Sequence, residues 1–201
     1  MNDLVSMDTH PLQERIGLRA PILFAVLILV GFGLLYSLAG TGLGRALFPA
    51  EATGSVIQRD GYAIGSVLLS QPFKDARYFQ PRPSAANYDP MSASGSNQAR
   101  SNPDLRKRIA EATISIAARD GIASIDVPNE LVTQSGSGLD PHLSPAGAEV
   151  QVTRVANARG LDSMIVRKLV AQHTATRQFG VLGEPRVNVL QLNLALDALH
   201  H

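Results

Sequence analysis

One segment rich in glycine and serine holds most of the side chains that could do chemistry. Residues 133–145 read TQSGSGLDPHLSP, so two serines, an aspartate and a histidine lie close together in the chain. A serine, a histidine and a carboxylate are the parts of a hydrolase with a serine nucleophile. Successive glycine amides can instead hold a phosphate where a helix begins. The segment therefore suggests two kinds of chemistry, hydrolysis and nucleotide binding.

Both interpretations meet an objection in the sequence. Known triads draw on distant segments, whereas Ser135, Ser137 and His142 lie in one short loop. Glycines flank Ser137 directly, which is not the Gly-x-Ser-x-Gly spacing of a nucleophile elbow. A P-loop has a lysine after its last glycine, but leucine and Asp140 follow here, and an aspartate repels phosphate. We expect a turn-rich loop whose Asp140 and His142 bond to backbone groups, with the two chemistries kept as alternatives.

Composition limits the other classes of function. The chain has no cysteine, so it has neither a disulfide nor a thiolate ligand. Its net charge of +1 gives no basic face for nucleic acid. The remaining histidines are scattered, and His173 falls on an apolar helical face that is typical of a core residue. We therefore predict no catalytic residue, no metal site and no stably bound cofactor; these other histidines are His10, His173 and the pair His200–His201.

An uncharged run of residues, 20–44, lies between Arg19 and Arg45 and precedes the part of the chain that contains the glycine- and serine-rich loop. As a helix it would rise about 37 Å, enough to cross a hydrocarbon core of about 30 Å. It is too long for the apolar region of a typical signal peptide, so we expect a retained anchor in the lipid bilayer. One helix without ionisable side chains contains no ion path. Any part in transport must therefore be played with partner subunits.

The charges around this run barely favour a cytoplasmic N-terminus, since Arg15 and Arg19 precede it and Arg45 follows. A short tail before the span and a long domain after it are the usual arrangement of a signal anchor. We predict a cytoplasmic tail at 1–19, a transmembrane helix at 20–44 and an extracytoplasmic domain at 45–201.

Small residues recur along one side of the predicted anchor. Their spacing of four, three and four residues lines them up on one face of a helix. Small side chains let a second membrane helix approach closely, although glycine is also common in membrane helices and can mark a loose end. The predicted membrane-helix interface consists of Gly33, Ser37, Gly40, Thr41 and Gly44.

Helix signals dominate the domain. Asn102 and Pro103 begin a helix that ends near Asp120 and Gly121. Ser144 and Pro145 begin another that stops at Gly160. Asp162 caps a third, in which the residues expected to face inward are Ile165, Val166, Leu169, Val170 and His173.

Strand signals are fewer. The stretches 66–69 and 124–132 are predicted as strand-like, and 188–199 fits either a strand or a helix. The proline- and serine-rich stretch 78–102 is predicted to be a long loop, ordered because its aromatic residues can pack. The expected fold class is α+β: a single N-terminal transmembrane helix followed by a small α+β domain.

These segments together resemble KdpC, the C subunit of the bacterial Kdp potassium-transporting P-type ATPase. The resemblance covers nearly the whole chain after the first dozen residues, and its specificity comes from several blocks in one order. The blocks are GS at 65–66, LSQ at 69–71, YFQPRPSA at 78–85, GSN at 95–97, LVTQSGSGLDPHLSP at 131–145, QV at 151–152, RVA at 154–156, ARG at 158–160, GEPRVNVL at 183–190 and LNL at 192–194.

The resemblance implies a non-catalytic accessory subunit of a high-affinity potassium uptake complex in the bacterial plasma (inner) membrane. Its implied partners are a channel-like potassium-translocating subunit and a P-type ATPase subunit. In that family the C subunit is described as a catalytic chaperone that promotes ATP binding by the ATPase subunit. The implied nucleotide-contacting residues are Gln134, Ser135, Gly136, Ser137 and Gly138.

Direct contact of that loop with ATP conflicts with two features of the chain. ATP is cytoplasmic, whereas the predicted topology puts the loop outside, and the loop has no lysine or arginine to offset phosphate charge. We expect instead that the matching segments form a surface that docks the domain over the partner's ion entrance. The candidate docking residues are Tyr78, Phe79, Arg82, Asn97, Asp140, His142, Arg154 and Asn188.

Overall fold

An apolar helix and a mixed domain follow one another along the chain. The computed structural model describes residues 17–199, so the predictions for His10, Arg15, the rest of the tail up to residue 16 and the His200–His201 pair lie outside the described residues. The chain divides into two compact units, Met1–Ala52 and Thr53–His201. Each unit is described separately below.

The first unit contains the apolar helix. It runs from Arg19 to Leu47, 29 residues, and is long and apolar enough to cross a membrane. Its successive parts are α1 (Arg19–Ile28), a π-helical segment (Leu29–Leu35) and α2 (Tyr36–Leu47), followed by the short α3 (Pro49–Ala52). The helix begins one residue before the predicted span 20–44 and ends three residues after it. It is consistent with the predicted single-pass anchor.

The π-helical segment is a feature that the sequence analysis missed. The N–H of Tyr36 donates to the carbonyl of Gly31, five residues earlier, instead of the four of an α-helix. A π turn has more residues per turn than an α turn, so it rotates the positions before it relative to those after it. The predicted small-residue face, whose spacing assumed an α-helix throughout, begins inside this segment at Gly33.

The second unit begins with a hairpin of β1 (Val56–Arg59) and β2 (Tyr62–Ser66). Its turn residues Asp60 and Gly61 have φ of 53° and 81°, as expected for an Asp-Gly hairpin turn. The predicted strand at 66–69 is wrong. Ser66 ends β2, and the chain then turns, with the N–H of Leu68 bonded to Ser66 Oγ at 3.1 Å.

The long loop at 78–102 is ordered and packs, as predicted. It has no regular element beyond one 3-10 turn at Pro90–Ser92. Phe79 inside it has no exposed surface and belongs to the hydrophobic core. The loop is therefore part of the domain's interior packing.

The helix boundaries read from capping residues are confirmed. α4 (Pro103–Asp120) is capped by Asn102, whose Oδ1 accepts from the N–H of Asp104, and it ends at Gly121 with φ of 67°. α8 (Ser163–Gln172) is capped by Asp162. Ile165 was predicted to face inward but is 48% exposed.

Two other predictions for the domain are corrected. The stretch 124–132 is helical, not strand-like: a 3-10 turn (Ser124–Asp126) precedes α5 (Asn129–Val132), because Pro128 supplies the extended residue before a helix start. The helix predicted from Pro145 to Gly160 is two helices, α6 (Pro145–Glu149) and α7 (Val152–Arg159).

A small sheet and the last helix complete the unit. β3 (His142–Leu143), β4 (Thr174–Ala175) and β5 (Arg186–Asn188) form an antiparallel sheet of order β3-β5-β4. The ambiguous C-terminal stretch is resolved as β5 followed by α9 (Val189–Ala198). The core lies among the helices and this sheet, and the α+β fold class is confirmed. Its fully buried apolar side chains include Phe79, Val152, Val155, Val166, Val187, Leu192 and Leu196.

Candidate functional site

The glycine- and serine-rich loop lies between α5 and β3 and is packed against the chain at 83–95. The N–H of Ser135 donates to the carbonyl of Pro83 at 3.0 Å. A Cβ on Gly138, whose φ is 73°, would lie 2.7 Å from the carbonyl oxygen of Ser94. A Cβ on Gly95 would lie 2.8 Å from that of Gly136. Gly138 and Gly95 thus allow two backbones to touch, which is a structural reason for glycine at both positions.

The two serine hydroxyls are used inside the loop. Ser137 Oγ accepts from the N–H of Leu139 at 3.1 Å, and Ser135 Oγ lies 3.5 Å from the N–H of Asp140. Ser135 is buried, whereas Ser137 is exposed. Within residues 17–199, no hydrogen bond joins either hydroxyl to His142. The geometry therefore gives the hydrolase alternative no support.

Arg82, Asp140 and His142 form a polar cluster beside the loop. Arg82 Nη1 donates to Asp140 Oδ2 at 2.9 Å, and the backbone N–H of His142 donates to Asp140 Oδ1 at 3.0 Å. Burial alone would raise the pKa of Asp140, but the hydrogen bonds from His142 and Arg82 outweigh it and lower that pKa. The expectation that Asp140 bonds to a backbone group is confirmed.

The helix start after the loop already holds a carboxylate of this chain. Glu130 accepts from the N–H of Ser144 at 3.1 and 3.0 Å and from Ser144 Oγ at 2.5 Å. A phosphate seated at the start of α6 would have to displace this side chain. Asp140 stands nearby in a cleft of about 350 Å³ that also includes Glu130, His142 and Glu184. Arg186 also lines this cleft, and Arg82 pairs with Asp140. Glu130 is therefore the carboxylate that opposes a phosphate at the start of the helix.

Gln134, another residue in the implied nucleotide set, is half-buried. Its Oε1 is buried and has no hydrogen-bond partner among the described residues. Only Gly136 and Ser137 of the implied set are exposed. Among residues 17–199, no cluster of three or more His, Asp and Glu side chains could hold a metal ion.

Two of the candidate docking residues, Tyr78 and Phe79, lie in the segment 76–80. Side chains of α4, α7 and α9 bind this segment or one another, and we call them the clamp: Asp120, Arg154, Arg159, Asn193 and Asp197. The backbone of Phe79 bonds in both directions to the side chain of Asn193, at 2.8 and 2.9 Å. Tyr78 donates to Asp197 at 3.2 Å, and the guanidinium of Arg159 lies 4.9 Å from the centre of its ring. α7 and α9 therefore hold this segment through polar side chains.

Arg154, another docking candidate, is itself part of the clamp. Its Nε donates to Asp120 at 2.6 Å, and its Nη1 donates to the carbonyls of Ala76 and Tyr78 at 2.6 and 3.0 Å. Burial lowers the pKa of Arg154, and the bond to Asp120 opposes that shift. Asn188 is also buried: it donates to the carbonyl of Val67 at 2.8 Å and caps α9.

The docking candidates thus fall into two groups. The structure gives Phe79, Arg154 and Asn188 roles inside the domain, and their burial does not favour contact with a partner. The candidates with exposed or partly exposed surface are Tyr78, Arg82, Asn97, Asp140 and His142. For all of them, docking itself stays a prediction.

Residues of the clamp that sequence reasoning missed did leave a signal. Asp120 and Asp197 lie in the last turns of α4 and α9, where the helix dipole disfavours an anion. Each meets an arginine: Asp120 meets Arg119 and Arg154, and Asp197 meets Arg159. Asn193 lies between the apolar residues Leu192 and Leu194 of α9. An aspartate in the last turn of a helix therefore predicts a cationic partner, but it does not predict which residue provides the charge.

The predicted membrane-helix interface has an open backbone side. A Cβ on Gly33, Gly40 or Gly44 would meet nothing within 4 Å. Ser37 Oγ donates to the carbonyl of Gly33 at 2.6 Å, which satisfies the hydroxyl within the helix. The face has room for a second helix, and that packing, with Thr41 as a further member, stays a prediction.

Known proteins are similar to this chain along nearly its whole length. The family model KdpC, described as "K+-transporting ATPase, c chain", matches residues 18–198. A protein of Xanthomonas oryzae pv. oryzae (strain MAFF 311018), named "Potassium-transporting ATPase KdpC subunit", is 62% identical over 187 residues, covering 93% of this chain and 90% of that protein. A Shewanella putrefaciens protein of the same name is 50% identical over 199 residues, covering 99% and 98%.

One apolar helix joined to a small α+β domain, with these relatives, defines the class as an accessory subunit of a potassium-transporting P-type ATPase. The chain belongs to the KdpC family. The resemblance drawn from the sequence blocks is confirmed.

Proposed function

We propose that this chain assembles with the channel-like potassium-translocating subunit and the P-type ATPase subunit of a high-affinity potassium uptake complex. The observation that carries this proposal is the helix Arg19–Leu47, which has no charged side chain between Arg19 and Arg45. A pathway for a cation through a membrane needs polar or charged groups along it. The chain therefore contributes to transport through the subunits it binds.

The proposed location is the bacterial inner membrane, with the tail cytoplasmic and the C-terminal domain extracytoplasmic. A reporter that is active only outside the cytoplasm, fused after His201, tests the orientation. Activity of that reporter supports it. Activity of a cytoplasm-only reporter at the same position would reverse the topology and place the glycine- and serine-rich loop on the ATP side.

The proposed action on the pump is indirect. The domain docks near the ion entrance and promotes ATP binding by the ATPase subunit without itself holding the phosphates. Glu130 supports this version, because its carboxylate already accepts from the N–H of Ser144, where the helix after the loop starts. The test is the ATP affinity and potassium-stimulated hydrolysis of the complex purified with and without this chain. Equal ATP affinity in the two preparations would refute the chaperone role.

Assembly through the helix is tested by replacing the small residues. Gly40→Leu with Gly44→Leu fills the open side of the helix, so we expect the chain to be lost from the purified complex. The matched control is Leu35→Val with Leu38→Val, which changes the same helix without closing the glycine face. Retention of the glycine variant at the control level would show that helix packing there does not hold the complex.

Direct nucleotide binding by residues 134–138 is the second candidate, favoured by the exposure of Gly136 and Ser137. A photoreactive ATP analogue added to the purified full chain tests it. Labelling within 134–138 that excess ATP prevents would support this candidate over the indirect one. Labelling confined to the ATPase subunit of the assembled complex would remove it.

A further inference from the structure

A second surface of the domain, remote in sequence from the loop at 133–145, has the features of a docking element. The chain at 177–184 connects β4 to β5 and carries three apolar side chains in solvent: Phe179 is 84% exposed, Val181 72% and Leu182 57%. We call these three residues the apolar tip. Exposed apolar residues this close together are uncommon on a surface that meets only water.

The loop that carries the tip is held in one shape. Gln178 and Leu182 exchange two backbone hydrogen bonds, at 2.8 and 2.9 Å, and Gly180 donates to the carbonyl of Arg177 at 3.1 Å. Arg177 Nη2 contacts both oxygens of Glu184, at 2.8 and 2.7 Å, across the base of the loop. The tip is therefore presented by an ordered backbone, which lowers the entropy cost of binding.

Phe179 adopts a backbone conformation that a bulky residue rarely takes. Its φ is 53°, in the left-handed region, where glycine or asparagine would be at ease. Glycine or asparagine at this position would strain the backbone less. Phenylalanine offers the fold little in return, since Phe179 is 84% exposed. A strained backbone that carries an exposed aromatic side chain is typical of a residue that makes a functional contact outside the domain.

The charge of the loop points to an apolar protein surface as its occupant. Arg177 is neutralised by Glu184, so the tip lacks the net positive charge that attracts an anionic lipid surface. A groove of about 540 Å³ includes Thr176, which directly precedes the loop in the chain, and its lining is both apolar and charged: Ala146, Val170, Ala171, Glu149 and Arg167. A projecting tip next to a groove matches a partner of fixed shape, whereas a fluid bilayer has none.

The size of the tip excludes a stable dimer of this chain through the tip alone. Three such side chains expose roughly 300–400 Å² of apolar surface, about half of the 800 Å² that each partner buries in a stable interface. A contact this small holds when a second attachment already keeps the partner near, because binding then becomes intramolecular. A membrane helix in the same complex provides such an attachment.

We infer that the apolar tip Phe179, Val181 and Leu182 inserts into an apolar pocket on another subunit of the potassium-transporting complex and acts as the anchor of the domain. This inference rests on the proposed function, since it requires that the chain assembles with those subunits. Phe179 is the most exposed residue of the tip, and aromatic side chains, phenylalanine among them, are enriched at protein interfaces.

The first test measures retention of the full-length chain on the purified complex under stringent washing. Phe179→Asn removes the aromatic anchor while fitting the left-handed backbone, so the domain keeps or gains thermal stability and retention falls about tenfold, as for an anchoring aromatic residue. The matched control is Ile125→Asn, at a side chain 91% exposed elsewhere on the domain. Equal retention of the two variants would overturn the inference.

The second test replaces Phe179 with a photo-crosslinking amino acid in the full-length chain within membranes. A crosslink to another subunit of the complex, absent when the same probe is at Ile125, supports the inference. A crosslink to phospholipid, a crosslinked dimer of this chain, or no crosslink would each overturn it. Failure of the wild-type chain to co-purify with the complex would instead refute the proposed function, so the two failures are distinguishable.

Discussion

Asp120 and Arg154 form an ion pair in the interior of the domain, with Arg154 Nε 2.6 Å from Asp120 Oδ1. The side chain of Asp120 has no exposed surface, and that of Arg154 is 8% exposed. The same guanidinium reaches the carbonyls of Ala76 and Tyr78. Asp120 and Arg154 thus connect the end of α4 to α7 and to the chain at 76–78, where the YFQPRPSA block begins.

Replacing Asp120 should strongly destabilise the domain. Asp120→Ala leaves the buried Arg154 without its counter-charge, and breaking a buried pair in this way costs about 3–5 kcal/mol. Thermal unfolding of the full chain in detergent measures the effect. The control is Asp75→Ala, which removes an exposed pair with Arg77 and should change stability far less than Asp120→Ala does. Similar losses for both variants would contradict the central role of the buried pair.

Asn193→Leu should loosen the chain at 76–80 without creating a cavity. Leucine has the same branched shape and number of side-chain heavy atoms but cannot bond to the backbone of Phe79, so one N–H and one carbonyl are left unpaired in the interior. Each unpaired buried group costs about 1–3 kcal/mol. Hydrogen exchange should rise first at the amide of Phe79. Protection there equal to wild type would show that the asparagine does not hold the segment.

Gly138→Ala should be far more costly than Gly136→Ala. A methyl group on Gly138 would meet the carbonyl of Ser94 at 2.7 Å on a backbone with φ of 73°, whereas one on Gly136 would meet nothing within 4 Å. We expect a loss of about 2–3 kcal/mol for the first and less than about 0.5 kcal/mol for the second. Unfolding midpoints of the two variants decide the matter, and equal midpoints would refute the packing of the loop against residues 83–95.

Asp140 should make the stability of the domain fall in acid. Its pKa is lower in the folded chain than in the unfolded chain, because the hydrogen bonds from His142 and Arg82 outweigh the effect of burial. Its contribution is therefore complete above about pH 4, the ordinary range of an aspartate, and is lost as the pH falls through the folded-state pKa. The stability difference between wild type and Asp140→Asn should shrink from pH 6 to pH 3. A difference that is constant over this interval would exclude the mechanism.

Stability and assembly, measured together, should separate two kinds of residue in this domain. Phe79, Arg154 and Asn188 keep the domain folded, and variants at these positions should lower assembly and stability together. Variants at the apolar tip should lower assembly alone, since its three side chains are largely exposed and add little to the stability of the domain. Measuring both quantities for each variant therefore distinguishes a folding residue from a docking residue.

The sequence by itself determined the features that depend on a few neighbouring residues. The apolar run gave the helix Arg19–Leu47, because its length and lack of charge are local properties. Asn102, Ser144 and Asp162 marked helix starts, since a capping side chain bonds to an amide two or three residues away. The sequence blocks and their order are also sufficient to indicate the family, which the comparisons confirm.

Tertiary structure decided what depends on residues distant in the chain. The pairs Phe79–Asn193 and Asp120–Arg154 are separated by 114 and 34 residues, and no local pattern encodes such partners. The choice between strand and helix after Arg186 followed from pairing with β3 and β4 and from the cap at Asn188. The glycines of the loop at 133–145 suggested a phosphate site from local spacing. The structure instead explains these glycines by packing against residues 83–95. Such a close approach of two backbones depends on the tertiary structure, because the two segments are distant in the chain.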